Sequence, residues 1–226
     1  MTWVFLLLVL MAFGGLVING VYGFKNSGGS SDEGACIWPA ATVIVPVAGN
    51  APAIVGALSS VLALDYPDFE VVFVTENHED SAAQIIARVL ADHPHNPRFR
   101  HVVSSTATCC SQKNQNLLAG VAAADPRCKI FAFADCTHLV PTHWLKRLAR
   151  PIIAGESPVT TGYHRILPGN DLLALHGRSI TVLVLYLLQF SPLTAQVWGG
   201  IGPRAGNSSS PWPGISGRAR SPTMLA

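Results

Sequence analysis

The chain has 226 residues, of which 49% are hydrophobic and only 12% are charged, and its formal net charge is +2. This charged fraction is well below the roughly one quarter of typical soluble domains, so the composition favours contact with a membrane. The small net charge and the lack of a basic tract argue against nucleic acid as a partner. The five cysteines form no Cys-x-x-Cys pair, which argues against a zinc site or a disulfide framework.

The first predicted element is an apolar run from Trp3 to Phe24. Its 22 residues are enough to cross a bilayer core of ~30 Å at about 1.5 Å per residue. A cleavable signal peptide is the alternative, but the run is too long and no Lys or Arg precedes it. Lys25 follows the run, which by the positive-inside rule places the remaining chain in the cytoplasm. We therefore expect a transmembrane anchor over residues 1–25, with a single pass.

A linker and an alternating α/β pattern follow. Residues 26–40 begin with a Gly- and Ser-rich stretch, which predicts a flexible linker. Beyond it, apolar strand patterns alternate with helix patterns that begin at Asn50, at Asp80 or Ser81, at Ser111 and at Thr142. The strands are predicted at residues 41–47, 69–75, 99–103 and 130–134, and the helices at residues 50–64, 80–91, 111–124 and 142–150. This order predicts a mostly parallel α/β sheet with helices on both faces.

The last part of the chain has a different pattern. Ser179 to Phe190 form an apolar stretch that is too short for a membrane span, which favours a buried or membrane-surface helix. From Ile201 onward the sequence is rich in Gly, Pro and Ser and has no apolar periodicity. Such a composition cannot bury enough surface to order itself, so residues 201–226 are predicted to form a disordered tail.

Polar residues that follow three of the predicted strands meet at one edge of the sheet. Glu76 and Asp80 follow the second strand, Lys113 and Asn116 begin the helix after the third, and Asp135 ends the fourth. Ligands of open parallel sheets bind at this edge. A helix start and a lysine face negative oxygens, and an acid holds a bridging cation. The cluster therefore predicts a site for a nucleotide diphosphate, while the lack of GxGxxG and GxxxxGK[ST] motifs argues against dinucleotide and P-loop sites.

Each of these residues also has a purely structural interpretation, which the sequence leaves open. Asp135 alone would suit the turn that follows the strand. Lys113 is compatible with a solvated helix surface. Glu76, Glu79 and Asp80 are compatible with an ordinary polar loop in which Asp80 caps the next helix.

Four segments together resemble glycosyltransferases of family 2, in particular the ceramide glucosyltransferase-like branch that includes bacterial hopanoid-associated enzymes. They are Thr42–Val47, Leu64–Val74, Ser111–Leu117 and Phe131–Asp135. The resemblance covers about residues 41–200. It implies a GT-A fold, a nucleotide-sugar donor, a divalent metal (Mg²⁺ or Mn²⁺), inversion at the anomeric carbon, and a lipid acceptor at the membrane.

The resemblance also implies roles for the residues at the sheet edge. Glu76 and Asp80 match acids that contact the nucleotide, and Lys113 and Asn116 match a Lys-x-x-Asn pattern beside the donor. Asp135 matches the first acid of a metal-binding strand end, but Thr137 stands where a second acid is usual.

The resemblance stops at Gly200. The family's general base, an acid further along the chain, and its Gln/Arg-x-x-Arg-Trp motif have no counterpart in residues 201–226. No catalytic residue is therefore assigned. We expect a membrane-anchored glycosyltransferase that is impaired by truncation after its donor-binding half, with a reading-frame shift near Gly200 as one explanation. The alternative is a non-catalytic, membrane-anchored α/β module that binds a ligand or a partner.

Overall fold

The computed structural model describes residues 37–94, 96–162, 200–203 and 223–225, together with Gly14. Its helices are α1 (Ile54–Leu62), α2 (Ser81–Ala91), α3 (Gln112–Ala123) and α4 (Trp144–Ile153). Its strands are β1 (Ala41–Pro46), β2 (Phe69–Thr75), β3 (Phe99–Val103), β4 (Ile130–Phe133), β5 (Thr160–Gly162), β6 (Gly200–Pro203) and β7 (Thr223–Leu225).

The predicted anchor and the later apolar stretch fall outside this part of the chain. Apart from Gly14, the predicted anchor from Trp3 to Phe24 is not among the described residues, and neither is the apolar stretch from Ser179 to Phe190. Among the residues that are described, no helix combines the length and the apolar character that crossing a bilayer requires.

One mixed sheet contains all seven described strands, in the order β3-β2-β1-β4-β6-β5-β7. Strand β1 pairs in parallel with both β2 and β4, and β2 pairs in parallel with β3. Strand β6 then runs antiparallel to both β4 and β5. The structure confirms the predicted α/β sheet, in which the first four strands are parallel and carry their carboxyl ends at one edge.

Strand β1 is central because its side chains are buried on both faces of the sheet. Val43 and Val45 belong to a core cluster shared with helices α1, α2 and α4, whereas Ile44 belongs to the cluster beneath α3. Successive side chains of a strand point to opposite faces, so this alternation shows that helices cover both faces. A run of β-branched residues with no charge is what such a strand requires.

Two helices differ from their predicted bounds. Helix α1 begins at Ile54 and not after Asn50, because the preceding residues form a turn in which the Ile54 N–H donates to Ala51 O at 3.0 Å. Helix α4 begins at Trp144, two residues after Thr142, and continues through Pro151. A proline in the last turn removes only one backbone donor there, and Ile152 beyond it is fully buried.

Residues 200–203 and 223–225 form strands that the sequence analysis does not predict. Ile201 is 1% exposed and lies opposite Ala132 of β4 in an antiparallel pair. Strand β4 offers unpaired backbone groups on the side away from β1, and pairing with β6 satisfies them. The Gly-Ile-Gly-Pro sequence contains a single apolar side chain, so no alternating pattern marks it as a strand.

Helix α3 approaches the sheet closely at Gly120. A Cβ atom added at this position would lie 2.4 Å from Cγ2 of Ile44 and 3.3 Å from Cγ2 of Val74. Gly120 is buried, and its lack of a side chain sets the distance between the helix and strands β1 and β2. Only glycine fits this contact without displacing a core side chain.

We predict that Gly120→Ala destabilises the fold by about 1–3 kcal/mol, because the new methyl group overpacks the core. Gly56→Ala is the matched control, since its new Cβ would meet only Leu139 Cδ2 at an ordinary 3.5 Å. The control is expected to gain about 0.5–1 kcal/mol from the better helix propensity of alanine. Chemical denaturation measures both, and equal stability of the two variants would contradict the close contact.

Candidate functional site

The candidate site lies at the carboxyl edge of strands β1, β2 and β4, where three long-range contacts join the loops. The Gly49 N–H donates to Asp80 Oδ1 at 3.0 Å, and the Thr106 hydroxyl donates to Glu76 Oε1 at 2.7 Å. The Lys113 ammonium donates to Asp135 Oδ1 at 2.6 Å. The structure therefore pairs Lys113 with Asp135 directly and fixes Glu76 and Asp80 through neighbouring loops at the same edge.

Asp80 connects the loop after β2 to the loop after β1. Its Oδ1 atom accepts from the Ala82 N–H at 2.9 Å, which caps helix α2, and also from the Gly49 N–H. Gly49 has a φ of +71°, a conformation that glycine adopts without strain and that aims its N–H at the carboxylate. The predicted N-cap is confirmed, and the predicted contact of Asp80 with a nucleotide stays a prediction.

Glu76 is held against the loop that precedes helix α3. Its backbone carbonyl accepts from the Ser105 N–H at 3.0 Å, while its side chain accepts from Thr106. Ser105 has a φ of +70°, which is uncommon for a residue other than glycine. Backbone strain of this kind persists only where surrounding bonds fix it, and it is frequent at functional sites.

Asn116 lies beneath this loop and is only 3% exposed. Its Oδ1 atom accepts from Ser104 Oγ at 2.6 Å and from Gln112 Nε2 at 2.8 Å, and its Nδ2 atom donates to the Val74 carbonyl at 3.2 Å. Asn116 therefore supports the loop from below. A direct contact with a donor, as the resemblance implies, would require these bonds to break.

Gln112 is a site residue that the sequence analysis missed. Its Oε1 atom accepts from the Ala107 N–H at 2.8 Å, and its Nε2 atom donates to the Ser105 carbonyl at 2.9 Å. Because Nε2 also donates to Ser104 Oγ at 3.1 Å, the side chain contacts residues on both sides of the strained Ser105. Its position directly after the N-cap Ser111, where side chains face the preceding loop, is the one signal in the sequence that indicates this role.

Lys113 and Asp135 form an ion pair at the mouth of the site. The Lys113 side chain is 60% exposed and that of Asp135 is 37% exposed. His138 Nδ1 lies 3.6 Å from Asp135 Oδ2. The two residues predicted to bind a phosphate and a metal are therefore partners of each other.

The residues at Asp135 fit a divalent cation that takes most of its ligands from a substrate. Within the described ranges no group of three or more His, Cys, Asp or Glu side chains is placed to hold a metal. Asp135 is a hard oxygen ligand at a half-exposed position, with His138 beside it. Mg²⁺ commonly binds through one or two carboxylates together with phosphate oxygens and water, so a single carboxylate suits this mode.

His101 is a second residue that the sequence analysis missed. It lies in strand β3, its Nε2 atom is 2.7 Å from Thr75 Oγ1, and its ring packs edge-on against His78 at 5.9 Å between centroids. Burial lowers the pKa of His101 below its usual 6.5, the neighbouring His78 lowers it further, and Asp80 partly offsets both. His101 lies in the middle of a predicted strand and away from the strand ends, so no sequence pattern indicates that it belongs to the site.

A comparison with protein families identifies the chain. Residues 5–175, which are most of the chain, match glycosyl transferase family 21. The chain belongs to glycosyl transferase family 21. This confirms the resemblance to glycosyltransferases, although the family that matches is 21 and not family 2. The assignment to the ceramide glucosyltransferase-like branch stays a prediction.

Solved structures support the fold of this family 21 chain. The mannosyltransferase PcManGT from Pyrobaculum calidifontis, in complex with GDP-Man and Mn²⁺, aligns with a TM-score of 0.62 at 19% identity. The alignment covers 88% of this chain and 55% of that one, so the chain spans about half the length of the mannosyltransferase. This similarity confirms a GT-A-like α/β architecture.

Two further glycosyltransferase structures align more loosely. Glucosyl-3-phosphoglycerate synthase from Mycobacterium tuberculosis aligns with a TM-score of 0.48 at 15% identity, covering 82% of this chain and 60% of that one. Residues 1–349 of TarS from S. aureus, in complex with UDP-GlcNAc, align at 0.46 and 22% identity, covering 59% of this chain and 36% of that one. Both alignments are too loose to add to the fold assignment.

We predict that Asn116→Leu destabilises the fold by about 1–3 kcal/mol, because it removes the buried hydrogen bonds of Asn116 to the Val74 carbonyl and the Ser104 hydroxyl and places an apolar side chain beside these polar groups. Asn114→Leu, at an exposed position of the same helix, is the control and is expected to change stability by less than about 0.5 kcal/mol. Urea denaturation measures the difference. Equal effects of the two substitutions would show that the network contributes nothing.

A further prediction concerns pH. Because the pKa of His101 is lowered in the folded state, the unfolded chain binds the proton more readily. The contribution of His101 to the free energy of unfolding therefore falls as pH drops from about 8 to about 5.5 through the unfolded pKa near 6.5. His101→Gln cannot titrate, so its stability relative to wild type should rise over this range. A pH-independent difference between the two, measured by urea denaturation, would contradict the shift.

Proposed function

We propose that this chain binds a nucleotide-sugar donor at the carboxyl edge of its sheet and takes part in transferring the sugar, with inversion, to a lipid acceptor at a membrane. The observation that carries the proposal is the Lys113–Asp135 ion pair, which lies at the same edge of the sheet as the Glu76 and Asp80 loop in a family 21 chain. The pair offers one positive and one negative group at the same exposed position.

The donor diphosphate and a divalent metal suit an exchange of partners at this ion pair. An exposed ion pair contributes less than about 1 kcal/mol, so its separation costs little. A phosphate oxygen would replace Asp135 at the Lys113 ammonium, and a cation would replace Lys113 at the Asp135 carboxylate. When bound, Mg²⁺ or Mn²⁺ supplies positive charge that stabilises the leaving diphosphate.

The nucleoside would lie against the loop that contains Glu76 and Asp80. Both carboxylates are partly exposed, and each can accept hydrogen bonds from ribose hydroxyls or base N–H groups in addition to its present donors. Asp80 is already fixed by the Gly49 N–H, so a ligand would find it in one orientation. Fixing such groups in advance reduces the entropy that binding must otherwise overcome.

The membrane part of the proposal depends on sequence. The apolar run from Trp3 to Phe24 and the low charged fraction support an anchor that holds the domain on the cytoplasmic side of the membrane. The anchor and the resemblance together support a lipid acceptor, and the resemblance alone supports the ceramide glucosyltransferase-like branch. The general base that takes the proton of the acceptor hydroxyl is not assigned to any residue that the structure describes.

Calorimetric titration of the detergent-purified full chain with UDP and with GDP, each with and without Mn²⁺, tests the donor site. Asp135→Asn is expected to remove the gain in affinity that Mn²⁺ provides. Lys113→Met should weaken binding about tenfold whether or not Mn²⁺ is present, which corresponds to about 1.4 kcal/mol of binding free energy. Both variants should keep wild-type thermal stability within a few degrees, because the pair is exposed.

Asp125→Asn is the matched control. Asp125 also pairs with a basic residue, Arg127, but it precedes β4 and lies at the opposite edge of the sheet. Unchanged affinity in this variant would show that the effect of Asp135 is local. If wild type binds neither diphosphate, the donor function is refuted and the non-catalytic module is favoured. If Asp135→Asn keeps the full Mn²⁺ effect, only the metal assignment fails.

A further inference from the structure

The His101–Thr75 hydrogen bond has a fixed direction. Thr75 is fully buried at the end of β2, and its Oγ1 atom is also 2.9 Å from the Asn77 carbonyl. A hydroxyl has one hydrogen and a carbonyl only accepts, so Thr75 donates to Asn77. The remaining bond, at 2.7 Å, must then be donated by His101 Nε2–H to the Thr75 oxygen.

From Thr75 the hydrogen bonds continue through the loop that contains the two acids. The Asn77 side-chain oxygen accepts from the Glu79 N–H at 2.9 Å and from the Asp80 N–H at 2.8 Å. Asp80 in turn accepts from the Gly49 N–H. Consecutive hydrogen bonds therefore connect the middle of β3 to the loop after β1.

The loop has few other supports along this stretch. Asn77, His78 and Glu79 are exposed, so no core packing fixes their backbone. His101 contacts the stretch twice, through the Thr75 hydroxyl and through the ring of His78. Exposed backbone with little packing opens easily unless hydrogen bonds from a rigid element hold it.

We infer that His101 is a positioning residue that orients the Glu76–Asp80 loop through the Thr75 hydroxyl and so fixes the two acids that face a nucleoside diphosphate. The inference rests on the proposed function for its ligand and goes beyond it by assigning a residue that touches no donor. His101 in strand β3 donates to the Thr75 hydroxyl, and Thr75 donates to the Asn77 carbonyl. The Asn77 side chain then accepts from the Asp80 N–H and so fixes the backbone at Asp80.

Four variants of the full chain separate positioning from packing. His101→Gln keeps an N–H donor at the end of a side chain of similar reach, whereas His101→Phe keeps the ring and loses the donor. Thr75→Ser keeps the hydroxyl, and Thr75→Val removes it. Val102→Ala, in the same strand and half-buried, is the control for loss of packing without loss of the hydrogen bond.

Amide hydrogen exchange of the ligand-free chain is the first measurement. His101→Phe and Thr75→Val are expected to accelerate exchange about tenfold at Gly49, Glu79 and Asp80, and the double variant should add nothing further, because both act on one chain of bonds. His101→Gln and Thr75→Ser should exchange like wild type at these amides. Val102→Ala should change them no more than it changes other amides of the sheet.

Titration with UDP and GDP in the presence of Mn²⁺ is the second measurement. The diphosphate that binds wild type should bind His101→Phe about five- to tenfold more weakly and bind His101→Gln with nearly wild-type affinity. Exchange that is unchanged in His101→Phe, or a His101→Gln that behaves like it, overturns the inference. If wild type binds neither diphosphate while exchange follows the expected pattern, the proposed function fails and the positioning role of His101 stands.

Discussion

The close contact between helix α3 and strand β1 is the constraint on which the site depends. Gly120 lets the helix approach Ile44 and Val74, and Asn116 and Lys113 precede it at intervals that keep all three on one helix face. The close packing of helix α3 on the sheet therefore places Asn116 beneath the loop that contains Ser104. It also places Lys113 within reach of Asp135 at the end of β4. A wider spacing would separate the buried amide from the Val74 carbonyl and the ammonium from its carboxylate.

The site consequently has two parts that differ in burial and in the kind of interaction that holds them. The lower part is a network of neutral hydrogen bonds around the buried Asn116 and the half-buried Gln112. The upper part is the exposed ion pair of Lys113 and Asp135, which solvent screens and which a ligand can replace. The hydrogen-bonded network supports the site, and the ion pair offers charges that a ligand can exchange. This combination suits the binding of a charged, metal-associated ligand.

The sequence predicted the elements whose burial is uniform or whose ends carry a capping residue. Strands β1 to β3 are continuous apolar or mixed runs, and Asp80 and Ser111 cap their helices as expected. The start of α1 was not predicted, because Asn50 lies before a turn that competes with the cap. Strands β5 and β6 are only three and four residues long, so their pairing depends on neighbouring backbone and not on a pattern of their own.

For the site, the sequence predicted which residues share an edge but not which of them are partners. Parallel strands bring Lys113 and Asp135 to one edge, yet their direct pairing is visible only in the three-dimensional structure. Gln112 and His101 are neutral side chains whose roles consist of hydrogen bonds to distant backbone or to a hydroxyl. Such bonds are set by three-dimensional register, which amino-acid patterns do not encode locally.

The order of strands in the sheet has a consequence for how the chain is made. The four parallel strands and every side chain placed at the candidate site come from one uninterrupted stretch, residues 41–138, whereas β6 and β7 come from much later residues. During synthesis, domains fold from the amino terminus as chain emerges from the ribosome. Every contact described at the candidate edge joins residues of this one stretch, so these contacts become possible before the later strands have been translated.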